Sequence, residues 1–261
     1  MGKNALSHYL LYDELTATLQ EWARRYPGHA RLTSAGQSLQ GRELWVMEIT
    51  DRQAGDPETK PALYIDGNLH AREFAGSAVC LDLIERLLTD DAPEVAKLLA
   101  GVTLYVLPRV NPDGAEISLT TPYNVLGSAR KLPGEESRPG LHLSDLNGDG
   151  HISLMRFRDD NGEFIVSERD TRVMVKAPLS DHKSERYSVM PEGLILGWDG
   201  KSTMNLAPRP PWNLNLNRNF PACWLPLKWE AEEWTGPYSL SEPETQALAA
   251  FIAGKPNIAG V

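Results

Sequence analysis

The chain has 261 residues, 41% of them apolar and 23% charged, a balance that supplies a hydrophobic core and excludes disorder as the main state. Twenty-six basic against 35 acidic side chains give a formal charge of −9, which argues against nucleic acid or an anionic membrane as partner, since both select basic surfaces. The longest apolar runs fall far short of the ~20 residues needed to cross a bilayer. The first fifteen residues hold neither a long apolar core nor a cleavage-like tail, so the sequence reads as cytoplasmic, or as secreted or periplasmic if its N-terminus was trimmed.

Leu15, Leu19, Trp22 and Tyr26 share one face at helical spacing and predict a helix over 12–26. Segments 31–36 and 43–50 read as strands joined by a Gly-containing loop. Residues 62–68 (ALYIDGN) form a short strand ending in Gly67-Asn68, and a helix over 73–89 follows, carried by Ala75, Val79, Leu83, Ile84 and Leu87. PEVAKLLA is a short helix, and VTLYVLP (102–108) an almost continuously apolar strand of the kind that helices cover on both faces. The pattern is α/β, built on one sheet. Asn111-Pro112-Asp113-Gly114, directly after that strand, reads by itself as a turn.

Residues 120–241 hold eleven of the 19 prolines and little periodicity, which predicts a long irregular insertion that is functional or carries its own small structure. Five of the seven tryptophans lie between Trp198 and Trp234; they either pin this segment onto the core or line an aromatic pocket. Order returns at Ser241-Glu-Pro-Glu244, which reads as a capping box for a helix ending at Gly254. NIAGV then starts another strand. Cys80 and Cys223 make no disulfide scaffold and are expected to be small buried hydrophobes.

Three places could carry chemistry. His70-Ala-Arg-Glu73 puts an imidazole and a carboxylate, both zinc donors, where a strand passes into a helix, the end at which open α/β sheets place their sites. His182-Lys-Ser-Glu185 repeats the spacing in a polar run with no strand before it, so spacing alone is equally satisfied by a loop histidine bonded to backbone. Asn215-Leu-Asn217-Arg218-Asn219 offers a planar guanidinium fork and an amide donor that suit a free carboxylate, or that satisfy loop carbonyls. Asp145, Asn147, Asp149 and the His151 carbonyl occupy the first positions of a calcium loop with its turn at Gly150. Its twelfth position is Arg156 where a glutamate is required, so Asp159 or Asp160 would have to substitute. The other reading is an Asx-rich turn without an ion.

YIDGNLHAREF, LPRVNPDGAE and LNRNFP, in that order, resemble the M14 family of zinc carboxypeptidases, and GQSLQGRELWVMEI and LSEPET resemble flanking segments of its bacterial members. The resemblance spans about residue 8 to 261. It implies a mixed, mostly parallel central sheet flanked by helices, and a metallocarboxypeptidase that removes the C-terminal residue of a peptide with a free carboxylate. It matches His70 and Glu73 to two of three zinc ligands and Arg72 to the arginine that contacts the substrate backbone. Asn217 and Arg218 match the pair that grips the terminal carboxylate. Arg130 matches the arginine that polarises the scissile carbonyl, a place for which Arg109, Arg138 and Arg156 compete. The family's third zinc ligand, its substrate-capping tyrosine and its general-base glutamate fall beyond Val261. The expectation is therefore a partial domain, its sheet incomplete at the C-terminal side with an apolar edge, completed by a missing segment or a partner chain. A related zinc deacylase or amidohydrolase, or a non-catalytic carboxylate-binding fragment, are the other functions implied.

Overall fold

The computed structural model describes residues 8–134, 138–181, 183–199, 211–212, 214–228 and 234–261; His182 lies outside them. The chain divides into two units. The first comprises Met1–Thr120, Asn124–Pro133 and Pro211–Val261, and the second Thr121–Tyr123 and Gly134–Pro210.

The first unit begins with α1 (Tyr12–Arg25), whose acidic first turn (Asp13, Glu14) and basic last turn (Arg24, Arg25) complement the helix dipole. β1 (Ala30–Gln37) pairs antiparallel with β2 (Glu43–Ile49). β3 (Ala62–Asp66), α2 (Phe74–Thr89), α3 (Pro93–Gly101) and β4 (Thr103–Leu107) follow. All five residues of β4 are buried, as its unbroken apolar run predicts. The Asn111–Gly114 segment is more than a turn: it opens α4 (Pro112–Thr120). Proline at the first helical position loses no hydrogen bond, and Asn111 Oδ1 accepts from Gly114 N at 3.0 Å.

The second unit holds two small sheets. β5 (Gly140–Leu143) pairs with β10 (Gly193–Leu196). β6 (Leu154–Arg158), β7 (Phe164–Val166), β8 (Met174–Lys176) and β9 (Tyr187–Pro191) form an antiparallel sheet in the order β6-β9-β7-β8. Residues 211–241, which the sequence places in the insertion, return to the first unit. Of the clustered tryptophans, Trp234 is buried with Leu132, Leu214 and Leu216, whereas Trp198 is exposed.

The chain closes with α5 (Pro243–Ala253) and β11 (Ile258–Gly260). The helix does stop at Gly254, but its start is not a capping box. Glu242 is the N-cap, the Ser241 hydroxyl serves Glu242 Oε1, and the Glu244 carboxylate accepts from Leu39 N at 2.9 Å. The central sheet runs β1-β2-β4-β3-β11. Its first two pairings are antiparallel and its last two parallel, and β11 forms one edge among the described residues. One face packs Met47, Ile49, Leu104 and Val106 against Leu15 and Leu19 of α1 and Cys80, Leu81 and Ile84 of α2. The other packs Leu44, Val46, Tyr64 and Tyr105 against Leu248 and Phe251 of α5. Each fully buried side chain of this size contributes roughly 1.5–3 kcal/mol. Among the described residues no helix is long and apolar enough to cross a membrane.

The cysteines part company. Cys80 is buried on α2, but Cys223 is exposed, in an irregular segment where it adopts φ 57°. Burial also pushes the Cys80 thiol up to about 12. An aromatic disulfide reagent is therefore expected to titrate one thiol in the native protein and the second only in denaturant; two fast thiols would contradict the packing of α2.

Candidate functional site

The site is built on the loop that leaves β3. A side chain at Gly67 would come within 2.6 Å of the Gly76 carbonyl, so glycine there lets the first turn of α2 rest on the strand end. Asn68 adopts φ 59°, a left-handed geometry that Asn tolerates, and its Nδ2 donates to the carbonyls of His70 and Ala71, both at 2.9 Å. The loop is also sewn to the one after β4, through Val110 N to Gly67 O and Asn111 N to Asn68 O.

This frame brings His70 and Glu73 together. His70 Nδ1 lies 3.2 Å from each oxygen of the Glu73 carboxylate. Two donors on one zinc ion at tetrahedral angles are about 3.4 Å apart, so the pair has the spacing of two ligands of one metal. His70 Nε2 is buried without a hydrogen-bond partner, which leaves the imidazole oriented by Nδ1 alone. No group of three His, Cys, Asp or Glu side chains able to hold a metal occurs among the described residues. Arg72, between the two, is exposed.

Residues 126–130 join this loop to the other motifs. Ala71 N donates to Leu126 O at 2.8 Å, and Ser128 N to Leu214 O at 2.8 Å; Asn111 Nδ2 donates to Gly127 O at 2.7 Å. A methyl group at Gly127 would overlap Leu214 O, so this backbone contact requires glycine. Two residues on, Arg130 Nε donates to both oxygens of Glu242 at 2.9 Å. The competing arginines are placed elsewhere. Arg109 is buried against Leu10 O, while Arg138 and Arg156 belong to the second unit and reach Leu141 O and Thr171 O there.

Asn217 and Arg218 are exposed on a single 3-10 turn, Leu216–Arg218, capped by Asn215 Oδ1, which accepts from Asn217 N at 2.9 Å. The next residue, Asn219, is fully buried. Its Nδ2 serves Thr235 O, Tyr238 O and Ser241 Oγ, and its Oδ1 accepts from Glu242 N and Thr245 Oγ1. The turn that presents Arg218 is thereby bolted to the start of α5.

The sequence reading missed Glu242 and Ser128, whose partners lie far away in the chain; Asn219, within the Asn215–Asn219 run, follows the other reading given for it and satisfies loop carbonyls. The sequence reading also missed a buried acidic cluster. Asp113, fully buried, accepts from Ser38 Oγ, Arg42 Nη1 and Gln40 N at 2.7–2.8 Å. Glu244 Oε1 accepts from Leu39 N, and the residue's own N–H also lies against the carboxylate, while its Oε2 is buried and unpartnered. The one available signal was the density of acids in LSEPET at the start of an otherwise apolar helix.

In the second unit, the Asp145–His151 loop is closed by its own backbone. Asp145 accepts from the N–H groups of Gly148, Asp149 and Gly150, and the Gly150 bond foremost holds its carboxyl below the usual range. Asn147 Oδ1 and Asp149 Oδ1 accept from Asp149 N and His151 N. These bonds form an Asx-rich turn, and they are compatible with either reading of the loop, with or without calcium.

The zinc carboxypeptidase family matches residues 15–149, just over half the chain. Human carboxypeptidase D is 38% identical over 253 residues, covering 87% of this chain and 18% of that protein. Carboxypeptidase D of Anas platyrhynchos is 40% identical over 113 residues, covering 41% and 8%. The chain thus spans less than a fifth of the length of these relatives. The crystal structure of carboxypeptidase A from Helicoverpa armigera superposes with a TM-score of 0.55 at 19% identity, over 95% of this chain and 43% of that one, which establishes a shared fold.

Burial pushes the Glu244 carboxyl up to about 7; the Leu39 N–H opposes the shift, and Asp113 and Glu242 add to it. An unfolded glutamate ionises near its model value of 4.5, so between 4.5 and about 7 the folded state holds a proton that the unfolded state has lost. Stability is then full below 4.5 and falls as pH rises to about 7, by on the order of 3 kcal/mol. Urea unfolding at pH 5 and pH 8 should show this loss in the wild type and not in Glu244→Gln; a loss of equal size in that variant would assign the titration elsewhere.

Proposed function

The chain belongs to the zinc carboxypeptidase family, and on that premise we propose that it binds and hydrolyses the C-terminal peptide bond of peptides through the residues gathered around the β3–α2 loop. The observation that carries this reading is the His70 Nδ1–Glu73 carboxylate pair at 3.2 Å, with ligand-like spacing at the carboxyl end of a parallel strand. His70 and Glu73 would hold the zinc. When bound, the metal polarises a carbonyl and lowers the pKa of a bound water.

The protein's own residues do the rest. Asn217 and Arg218, exposed on a turn held from beneath, take the substrate's terminal carboxylate, Arg218 through its planar fork. Arg72 contacts the peptide backbone. Arg130 presents a guanidinium to the scissile carbonyl and stabilises the charge that develops on its oxygen. Catalytic zinc sites use three protein ligands, and His70 with Glu73 supplies two.

A second reading, in which the chain binds C-terminal carboxylates without hydrolysing them, rests on the exposed Asn217–Arg218 turn, which needs no metal to take a carboxylate. Elemental analysis and a peptidase assay on the same preparation separate the two. Stoichiometric zinc lost in Glu73→Ala, together with turnover, supports the enzyme; peptide binding that survives chelation, without turnover, supports the binder. In either case Arg218→Ala is expected to weaken a peptide with a free C-terminus by about 10- to 100-fold, the value of a charge-assisted hydrogen bond or two, and to leave its amidated counterpart unchanged. Equal weakening of both would remove the clamp.

A further inference from the structure

We propose that Glu242 is a positioning residue for Arg130, an inference that rests on the reading of Arg130 as the group facing the scissile carbonyl. Glu242 is fully buried, and a buried carboxylate is strongly unfavourable unless it is answered by donors. Four features answer it. Arg130 Nε donates to both its oxygens at 2.9 Å, Ser128 Oγ donates to Oε2 and Ser241 Oγ to Oε1, each at 3.1 Å, and as N-cap of α5 it faces the positive end of the helix.

The geometry gives this arrangement a use beyond neutralising a charge. The bond is made through Nε, not through the terminal nitrogens. A guanidinium is planar, so holding Nε orients the group and leaves the end formed by Nη1 and Nη2 for another acceptor. The Arg130 side chain is 36% exposed, and its two terminal nitrogens make no hydrogen bond among the described residues. A flexible arginine is thus held with its donor fork open to the outside.

The same helix start anchors the other arginine. Asn219, next to Arg218, accepts from Glu242 N at 3.1 Å and from Thr245 Oγ1 at 2.7 Å. Arg130 and the turn that carries Arg218 are therefore both tied to the start of α5, and on the proposed reading the ligand is a peptide that offers an anion-forming carbonyl to one and a terminal carboxylate to the other.

The test is calorimetric binding to the full chain in EDTA, so that no metal contributes. Two probes are used: a phosphonate peptide, with a tetrahedral anion in place of the scissile carbonyl and a free C-terminus, and an N-acetyl amino acid, which offers the carboxylate alone. Glu242→Gln, which keeps the shape and drops the charge, should weaken the phosphonate tenfold or more and the N-acetyl amino acid less than twofold. Its effect should vanish when Arg130→Gln is already present. Arg130→Lys, which keeps the charge but not the Nε bond, should lose as much as Arg130→Gln, and this arm stands even if Glu242→Gln does not fold. Loss in Arg130→Gln with none in Glu242→Gln, or Arg130→Lys binding within twofold of wild type, overturns the positioning role and leaves the reading of Arg130 intact. No loss in Arg130→Gln overturns both.

Discussion

The contact of Gly127 with Leu214 O is the constraint on which the rest of the first unit's functional architecture depends. Backbone meets backbone there, with no room for a methyl group. Because the two segments lie that close, Ser128 N reaches Leu214 O, while on the other side Ala71 N reaches Leu126 O and Asn111 Nδ2 reaches Gly127 O. Three loops distant in sequence are thereby tied to one strip by two main-chain bonds and one side-chain amide bond, each of which contributes only about 1 kcal/mol net but is costly to leave unmade once buried. A small residue in a connecting strip thus decides whether the loop carrying His70 and the segment leading to Arg218 can be bonded to the same strip.

Around the start of α5 three acids are fully buried, Asp113, Glu242 and Glu244, and the fold answers each differently. Asp113 is paired with Arg42, with Ser38 and Gln40 completing its shell. Glu242 is paired with Arg130 and two hydroxyls. Glu244 has backbone N–H donors but no cation or hydroxyl against it, and retaining a proton is the cheaper course for it than burying an unanswered charge. The cluster fastens the loop between β1 and β2 to two helix starts, that of α5 through Leu39 N to Glu244 and that of α4 through Gln40 N to Asp113. The scaffold under the two arginines is thus electrostatic as much as apolar.

What could be read from the sequence follows the range of the forces involved. α1, α2 and β4 declare themselves because burial repeats at 3.6 residues or runs without interruption, and both signals are local. The pairing of His70 with Glu73 was legible because three residues separate them at a strand-to-helix junction. Ser241 was misread because its hydroxyl is claimed by Asn219, 22 residues away, and by the adjacent glutamate. Asn111-Pro112-Asp113-Gly114 was read as a turn because the residues that favour turns also favour the first turn of a helix. The bond between Arg130 and Glu242 spans 112 residues and leaves no periodic trace. The second unit's strands are three to five residues long, too short for alternation to rise above chance.

The junction at Leu132 and Pro211 carries a consequence of a different kind. Leu132 N donates to Pro211 O at 2.9 Å, and Lys131 bridges Trp212 in antiparallel fashion, so the two chain segments that flank the second unit are clasped side by side within the first. The closure entropy of whatever lies between them rises by only about 0.6 kcal/mol for each doubling of its length. Such a clasp works as an exchange port. Over evolutionary time the segment beyond it can be lengthened, trimmed or replaced by an unrelated module while Arg130 on one arm and Leu214–Arg218 on the other keep their places. In a laboratory the same port is the natural point at which to splice in a reporter or a short linker.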